Sequence, residues 1–187
     1  MKRTFIAIDI PASIEIKKCL NILSTRLAGE KIKWTAYNNL HLTLKFLGDT
    51  EDNTIAGIES KLSEITKNIA AFPITIRSAG VFKNMRDPRI IWFGIEAGRE
   101  LTELKNLLET EIALFGFPPE KRIFSPHLTV GRVRFLGKRN ILHQIIDDYN
   151  GQILQQFNVP EIVFYESILK KEGPEYITLG RYKLQIT

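Results

Sequence analysis

Apolar and polar positions alternate along this chain in two rhythms, one of strands and one of helices. Arg3 to Ile10 is a short Ile- and Phe-rich run stopped by Pro11, the pattern of a buried strand. Ile16, Leu20, Leu23 and Leu27 then recur at spacings of 4, 3 and 4, one apolar face of a helix that ends near Gly29. Leu40 to Leu47 predicts a second strand, with Gly48-Asp49 as its closing turn. Ile55, Ile58, Leu62, Ile65 and Ile69 mark a second helix. Strands around Ile74–Phe82 and Ile90–Glu96 follow, joined by the polar loop Lys83 to Arg89 with Asp87-Pro88 inside it.

A third helix carries Leu101, Leu104, Leu108, Ile112 and Phe115 and is ended by Gly116 and Pro118-Pro119. Leu128 to Phe135 predicts a strand and Lys138 to Tyr149 a short helix. Two last strands, around Glu161–Lys170 and Tyr176–Leu184, meet at a Gly173-Pro174 turn. Adjacent strand pairs suited to antiparallel hairpins favour an α+β fold over a doubly wound parallel sheet. The element order hints at two related halves. No linker or change of composition divides them, so residues 1–187 are expected to form a single domain.

Composition narrows the class without naming a function. The 187 residues are 44% hydrophobic and 25% charged, an ordinary globular balance that is long enough to bury a core without disulfides. The one cysteine, Cys19, has no partner for an intrachain bridge and cannot belong to a cysteine-rich zinc cluster. The first apolar run is too short for a secretory signal, and nothing approaches the ~20 apolar residues of a membrane span. A cytoplasmic protein with no membrane association is therefore expected. The net charge of +5 favours an anionic partner only mildly, since no dense basic block accompanies it.

The chemistry concentrates in a repeated tetrapeptide. Two of the three histidines stand in His41-Leu42-Thr43-Leu44 and His127-Leu128-Thr129-Val130, both on expected strands. Side chains two apart on a strand share a face, so each copy pairs an imidazole with a hydroxyl over an apolar back. In the first copy the alternation puts His41, Thr43 and Lys45 on one side and Leu40, Leu42, Leu44 and Phe46 on the other. If the halves meet across a cleft, one site gains two imidazoles, one fit to act as acid and one as base near neutral pH, and two hydroxyls to orient phosphoryl oxygens. In-line displacement at phosphorus suits that set and asks for neither metal nor cofactor. A single His-x-Thr on a strand is unspecific; the matched pair is not.

The stretches Asn39-Leu40-His41-Leu42-Thr43-Leu44-Lys45-Phe46-Leu47-Gly48 and Phe124-Ser125-Pro126-His127-Leu128-Thr129-Val130-Gly131-Arg132 resemble the two signature motifs of the 2H phosphoesterases. The branch most similar is that of the RNA 2',3'-cyclic phosphodiesterases, also called 2'-5' RNA ligases. Phe5 to Pro11, Ile32-Lys33-Trp34 and Pro88 to Trp92 extend the likeness over nearly the whole chain. The resemblance implies a bilobal fold: two pseudo-symmetric lobes, antiparallel sheets around a central cleft, helices outside. It implies hydrolysis of a 2',3'-cyclic phosphate at RNA ends, tRNA fragments among them, to a 2'-phosphomonoester. His41 would be the proton donor, His127 the proton acceptor, and Thr43, Thr129 and Arg132 the substrate-binding residues. The reverse reaction, joining a 2'-phosphate-type end to a 5'-hydroxyl, exchanges the two histidine roles. No cofactor, metal or obligate protein partner is expected.

Arg132 stays open between two readings. Five residues from His127, strict alternation sends it to the outer face, while a bulge at Gly131 would turn it into the site. Lys45 is placed either to neutralise phosphate or at a solvated strand edge. Trp34, Tyr37, Phe82, Trp92 and Phe124 are candidates to stack bases, or ordinary packing residues. Lys83, Arg86 and Arg89 make either a solvated loop or an approach surface for RNA phosphates. His143, four residues before Asp147, belongs to a helix surface. Two alternatives compete with the leading reading: a phosphodiesterase for small cyclic phosphates or 2'-5' oligonucleotides, and a non-catalytic RNA- or nucleotide-binding module.

Overall fold

A computed structural model describes residues 1–171 and 173–185. The strands are β1 (Lys2–Asp9), β2 (Lys31–Trp34), β3 (His41–Thr50), β4 (Phe72–Phe82), β5 (Ile90–Ala97), β6 (His127–Phe135), β7 (Ile153–Val159), β8 (Glu161–Leu169) and β9 (Pro174–Lys183). The helices are α1 (Ile14–Arg26), α2 (Asp52–Thr66), α3 (Arg99–Ala113) and α4 (Arg139–Asp148). A 3₁₀ turn at Tyr37–Asn39 leads into β3. The fold is α+β, as the pattern implied, with every ladder between these strands antiparallel.

Two sheets form, in the orders β3-β1-β8-β9 and β2-β6-β5-β4-β7. They correspond strand for strand: β3, β1, β8 and β9 take the places of β6, β5, β4 and β7. The helix after β1 corresponds to the helix after β5, and that after β3 to that after β6. Among the described strands only β2 has no counterpart. It adds an edge to the second sheet beside β6, although it lies in the first half of the chain.

The apolar stripes behave as their periodicity requires. Ile16, Leu20 and Leu23 of α1, Ile58, Leu62 and Ile65 of α2, and Leu101, Leu104, Leu108 and Ile112 of α3 join one contiguous core with Ile6, Ile8, Leu42, Leu128 and Val130 of the strands. Ser13 caps α1: its Oγ accepts from the Ile16 amide at 3.1 Å and donates to the Leu154 carbonyl at 3.0 Å. Cys19 is sealed in this core, where burial pushes its thiol up to about 12. A smaller cluster of Phe5, Ala7, Val163 and Tyr165 covers the opposite face of the first sheet, with Tyr176 packed on it.

Several expectations are corrected. Gly48-Asp49 is not a turn; β3 runs on to Thr50, because β1 continues to pair with it as far as Lys2. The ladder skips a residue at Leu47, and Gly48 takes the φ of +77° that the irregularity needs. Helix α2 stops at Thr66, short of Ile69. The strands β2 and β7 escaped the pattern: β2 is four residues long, and Gln155-Gln156 breaks the alternation of β7. The two hairpins, β4–β5 and β8–β9, form where expected.

Candidate active site

The two His-x-Thr segments lie on β3 and β6, which face one another across a cleft of ≈ 690 Å³. His41, Thr43, His127, Thr129 and Arg132 all line it. The five residues that the resemblance implied for the site are thus brought into one space. The side walls come from Lys33 and Trp34 on β2, and from Pro174 and Tyr176 at the start of β9.

Both imidazoles are held in the same way. His41 Nδ1 is 2.8 Å from the Asn39 carbonyl oxygen and His127 Nδ1 is 2.7 Å from the Ser125 carbonyl oxygen, each two residues upstream. A carbonyl only accepts, so Nδ1 carries the proton in both rings. The Nε2 of each is left for the cleft, able to take or give a proton. Each ring also meets an aromatic at nearly a right angle: Tyr176 against His41 (5.2 Å, 88°) and Phe82 against His127 (4.7 Å, 89°). Edge-to-face contacts of this kind fix ring orientation.

The bulge needed for Arg132 exists, one residue earlier than Gly131. The β5–β6 ladder passes from Trp92↔Thr129 to Ile91↔Gly131, which leaves Val130 unpaired. Beyond it the alternation has flipped, so Arg132 stands on the same side as His127 and Thr129. Gly131 serves a different need: the Trp34 ring lies so close that an added Cβ would be 3.0 Å from it.

The same irregularity occurs in the first copy and overturns the reading of Lys45. The β1–β3 ladder passes from Ala7↔Thr43 to Ile6↔Lys45, leaving Leu44 unpaired. Lys45 therefore turns away from His41 into the interior, 1% exposed, where it pairs with Glu109 of α3 and donates to the Pro118 carbonyl at 3.2 Å. Phe46 correspondingly leaves the core; it is 45% exposed and packs beneath the Arg3 guanidinium.

Charge around the pair is unequal. Burial is the main influence lowering the His41 pKa; the Asn39 carbonyl and the Asp9 carboxylate oppose it, and Arg132 and His127 reinforce it. Asp9 is the cross-strand partner of His41 on β1. Its carboxylate accepts from the Tyr165 hydroxyl at 2.5 Å and meets the Arg181 guanidinium at 3.1 Å. Neither Asp9 nor Tyr176 carried a sequence signal, since both act only through neighbours distant along the chain. The Asn39 and Ser125 contacts use backbone carbonyls, which no residue pattern reports.

The remaining candidates separate. Trp34 is a wall of the cleft, and the exposed Tyr37 stands in an adjoining groove with it. Trp92 lies over Gly80 and beside Phe82. Phe124 sits under the Lys105 ammonium at 5.4 Å rather than in the cleft. In the loop 83–89, Lys83 and Arg89 are both engaged by Asp87. His143 is exposed on α4 and 3.3 Å from Asp147. Among the described residues no helix is long and apolar enough to cross a membrane.

Comparison with known proteins places the chain among phosphoesterases. A family model described as "LigT like Phosphoesterase" matches twice in succession, over residues 8–92 and 94–176. An RNA 2',3'-cyclic phosphodiesterase of Methanothermobacter thermautotrophicus is 32% identical over 97% of this chain and 98% of its own. One of Archaeoglobus fulgidus is 34% identical over 93% and 96%. Among solved structures, E. coli LigT complexed with 3'-AMP superposes with a TM-score of 0.75 at 26% identity, covering 98% of both chains. A protein of Thermus thermophilus shares the fold with a TM-score of 0.81 at 23% identity, again over 98% of both.

Proposed function

Since this chain belongs to the LigT-like phosphoesterase family, we propose that it is an RNA 2',3'-cyclic phosphodiesterase working by acid–base catalysis between His41 and His127. The observation that carries the proposal is the matched pair of Nε2 atoms. Two imidazoles, each anchored through Nδ1 to a carbonyl two residues upstream, present equivalent nitrogens to one cleft.

In the reaction, water attacks the phosphorus of the cyclic ester while the bond from phosphorus to the 3'-oxygen breaks. His127 Nε2 takes the proton of the water, and His41 Nε2–H protonates the departing 3'-oxygen. The product is a 2'-phosphomonoester, and a second proton exchange with solvent restores both rings. The Thr43 and Thr129 hydroxyls donate to the non-bridging oxygens, and Arg132 balances their charge. Asp9 is a carboxylate that acts on His41, where it works to keep the extra proton on that ring against the burial that lowers its pKa.

The lowered pKa of His41 has a kinetic consequence. In the free enzyme His41 loses its extra proton below the usual histidine range. A bound phosphate monoanion offsets Arg132 and moves the His41 pKa upward from there. The alkaline limb of kcat/KM, which reports the free enzyme, is therefore expected below pH 6.5, with that of kcat at higher pH. Coincident limbs would contradict the arrangement.

The direct test is incubation with RNA ending in a 2',3'-cyclic phosphate and identification of the product. A 2'-phosphate is expected; a 3'-phosphate or no product overturns the proposal. His41→Ala and His127→Ala should each lower turnover by about 10²–10⁴ with folding intact. A 5'-hydroxyl taking the place of water gives a 2'-5' linkage by the same displacement. Supplying RNA with a free 5'-hydroxyl and assaying the joined product tests that extension.

A further inference from the structure

The two sheets match except for β2, and β2 brings one cation to the cleft. Lys33 lies directly opposite Arg132 in the β2–β6 ladder, and both line the same space. Like charges at opposed positions of an antiparallel ladder repel one another. Among the described residues neither Lys33 nor Arg132 is joined to an acidic side chain. Glu175, on the same wall, is already paired with Lys170.

The position of Lys33 is defined on its far side as well. The β8–β9 turn passes beside its stem, and a Cβ added at Gly173 would lie 3.5 Å from Lys33 Cε. The cleft of ≈ 690 Å³ runs from the two histidines to this turn, and it holds more than one phosphoryl group and its ribose. Arg132 stands beside the histidines and threonines; Lys33 is one strand further out. Two cations at adjacent cross-strand sites of one cleft give each of two phosphates its own partner.

We propose that Lys33 binds the internucleotide phosphate on the 5' side of the terminal cyclic phosphate. The enzyme thereby distinguishes an RNA end, which carries that second phosphate, from a nucleoside 2',3'-cyclic monophosphate, which lacks it. The inference rests on the phosphodiesterase reading above and assigns the residue by which that site would read the RNA chain. Symmetry supplies the reacting centre, and the one strand outside the symmetry supplies the discrimination.

The test compares kcat/KM on a dinucleotide ending in a 2',3'-cyclic phosphate with kcat/KM on the corresponding cyclic mononucleotide, for wild type, Lys33→Gln and Lys33→Arg. The wild type should prefer the dinucleotide by about tenfold, roughly what one charge-assisted phosphate contact contributes. In Lys33→Gln the ratio should fall to near one, and Lys33→Arg should restore most of it. The dinucleotide's extra salt dependence, about 0.7 in log–log slope for one single-strand phosphate, should vanish in Lys33→Gln. An unchanged ratio in Lys33→Gln, an equal loss on both substrates, or no preference in the wild type would each overturn the assignment of Lys33. Failure of the wild type to hydrolyse either substrate overturns instead the phosphodiesterase reading beneath it.

Discussion

His41 and His127 are equals in sequence and unequals in place. His41 is flanked by the Asp9 carboxylate, and Asp9 is itself held by Tyr165 and Arg181. Removing the carboxylate in Asp9→Asn takes away a charge that raises the His41 pKa. The alkaline limb of kcat/KM should then move to lower pH, while a variant of merely structural effect would lower the rate without moving the limb. Among the described residues, Asp9, Arg132 and His127 act on His41 by charge and Tyr176 meets it ring to ring. The threonines invite a simpler test. Thr43→Val and Thr129→Val keep the shape and delete the donor, and each should lower kcat about 10–100-fold, the worth of a hydrogen bond to a charged group. A loss appearing only in KM would show that the hydroxyls bind ground state and transition state alike.

At the level of strands, the decisive features are two bulges. Leu44 and Val130 each fall out of their ladder one residue after the threonine, and each reverses the alternation behind it. The outcome differs because the residues beyond differ. In β3 the reversal buries Lys45 and exposes Phe46; in β6 it buries Gly131 and delivers Arg132 to the cleft. Alternation read from the sequence was right up to each threonine and wrong beyond it, since a bulge depends on the partner strand. Gly131 also admits Trp34, whose strand carries Lys33. Gly131→Ala should cost ~1–3 kcal/mol by overpacking and lower activity together with it, measured by urea denaturation and kcat/KM. Retained activity with full stability would mean that Trp34 can move without disturbing the site.

Across the whole molecule, a buried charge network ties the first sheet to the segment that introduces His127. Glu109 of α3 takes both Lys45 of β3 and Lys105, and Lys105 reaches Glu120 at 3.3 Å and the Phe124 ring. Burial acts to raise the Glu109 pKa, and the bonds from Lys105 and Lys45 overcome it, holding the carboxyl below its ordinary 4.5. A depressed carboxyl contributes stability above its unfolded value and loses it as pH falls through the folded value. Glu109→Gln should therefore destabilise the protein near pH 7, on the order of 3 kcal/mol for a broken buried pair. The difference from wild type should shrink as pH drops past 4.5. Denaturation curves at several pH values test this; a difference independent of pH would assign the loss to packing.

Among the described residues, local pattern alone determined the helices α1 to α4, seven of the nine strands, and the pair of His-x-Thr segments, because period and residue type are properties of a short window of chain. It also supplied the groups on offer, two imidazoles and two hydroxyls in matched settings. Tertiary structure alone decided the strands β2 and β7, whose short or polar runs become strands only against β6 and β4. It decided the side on which Lys45 and Arg132 emerge, because register shifts are set between strands. It placed Asp9, Lys33 and Tyr176 around residues 41 and 132, because proximity across the chain leaves no periodic trace in it.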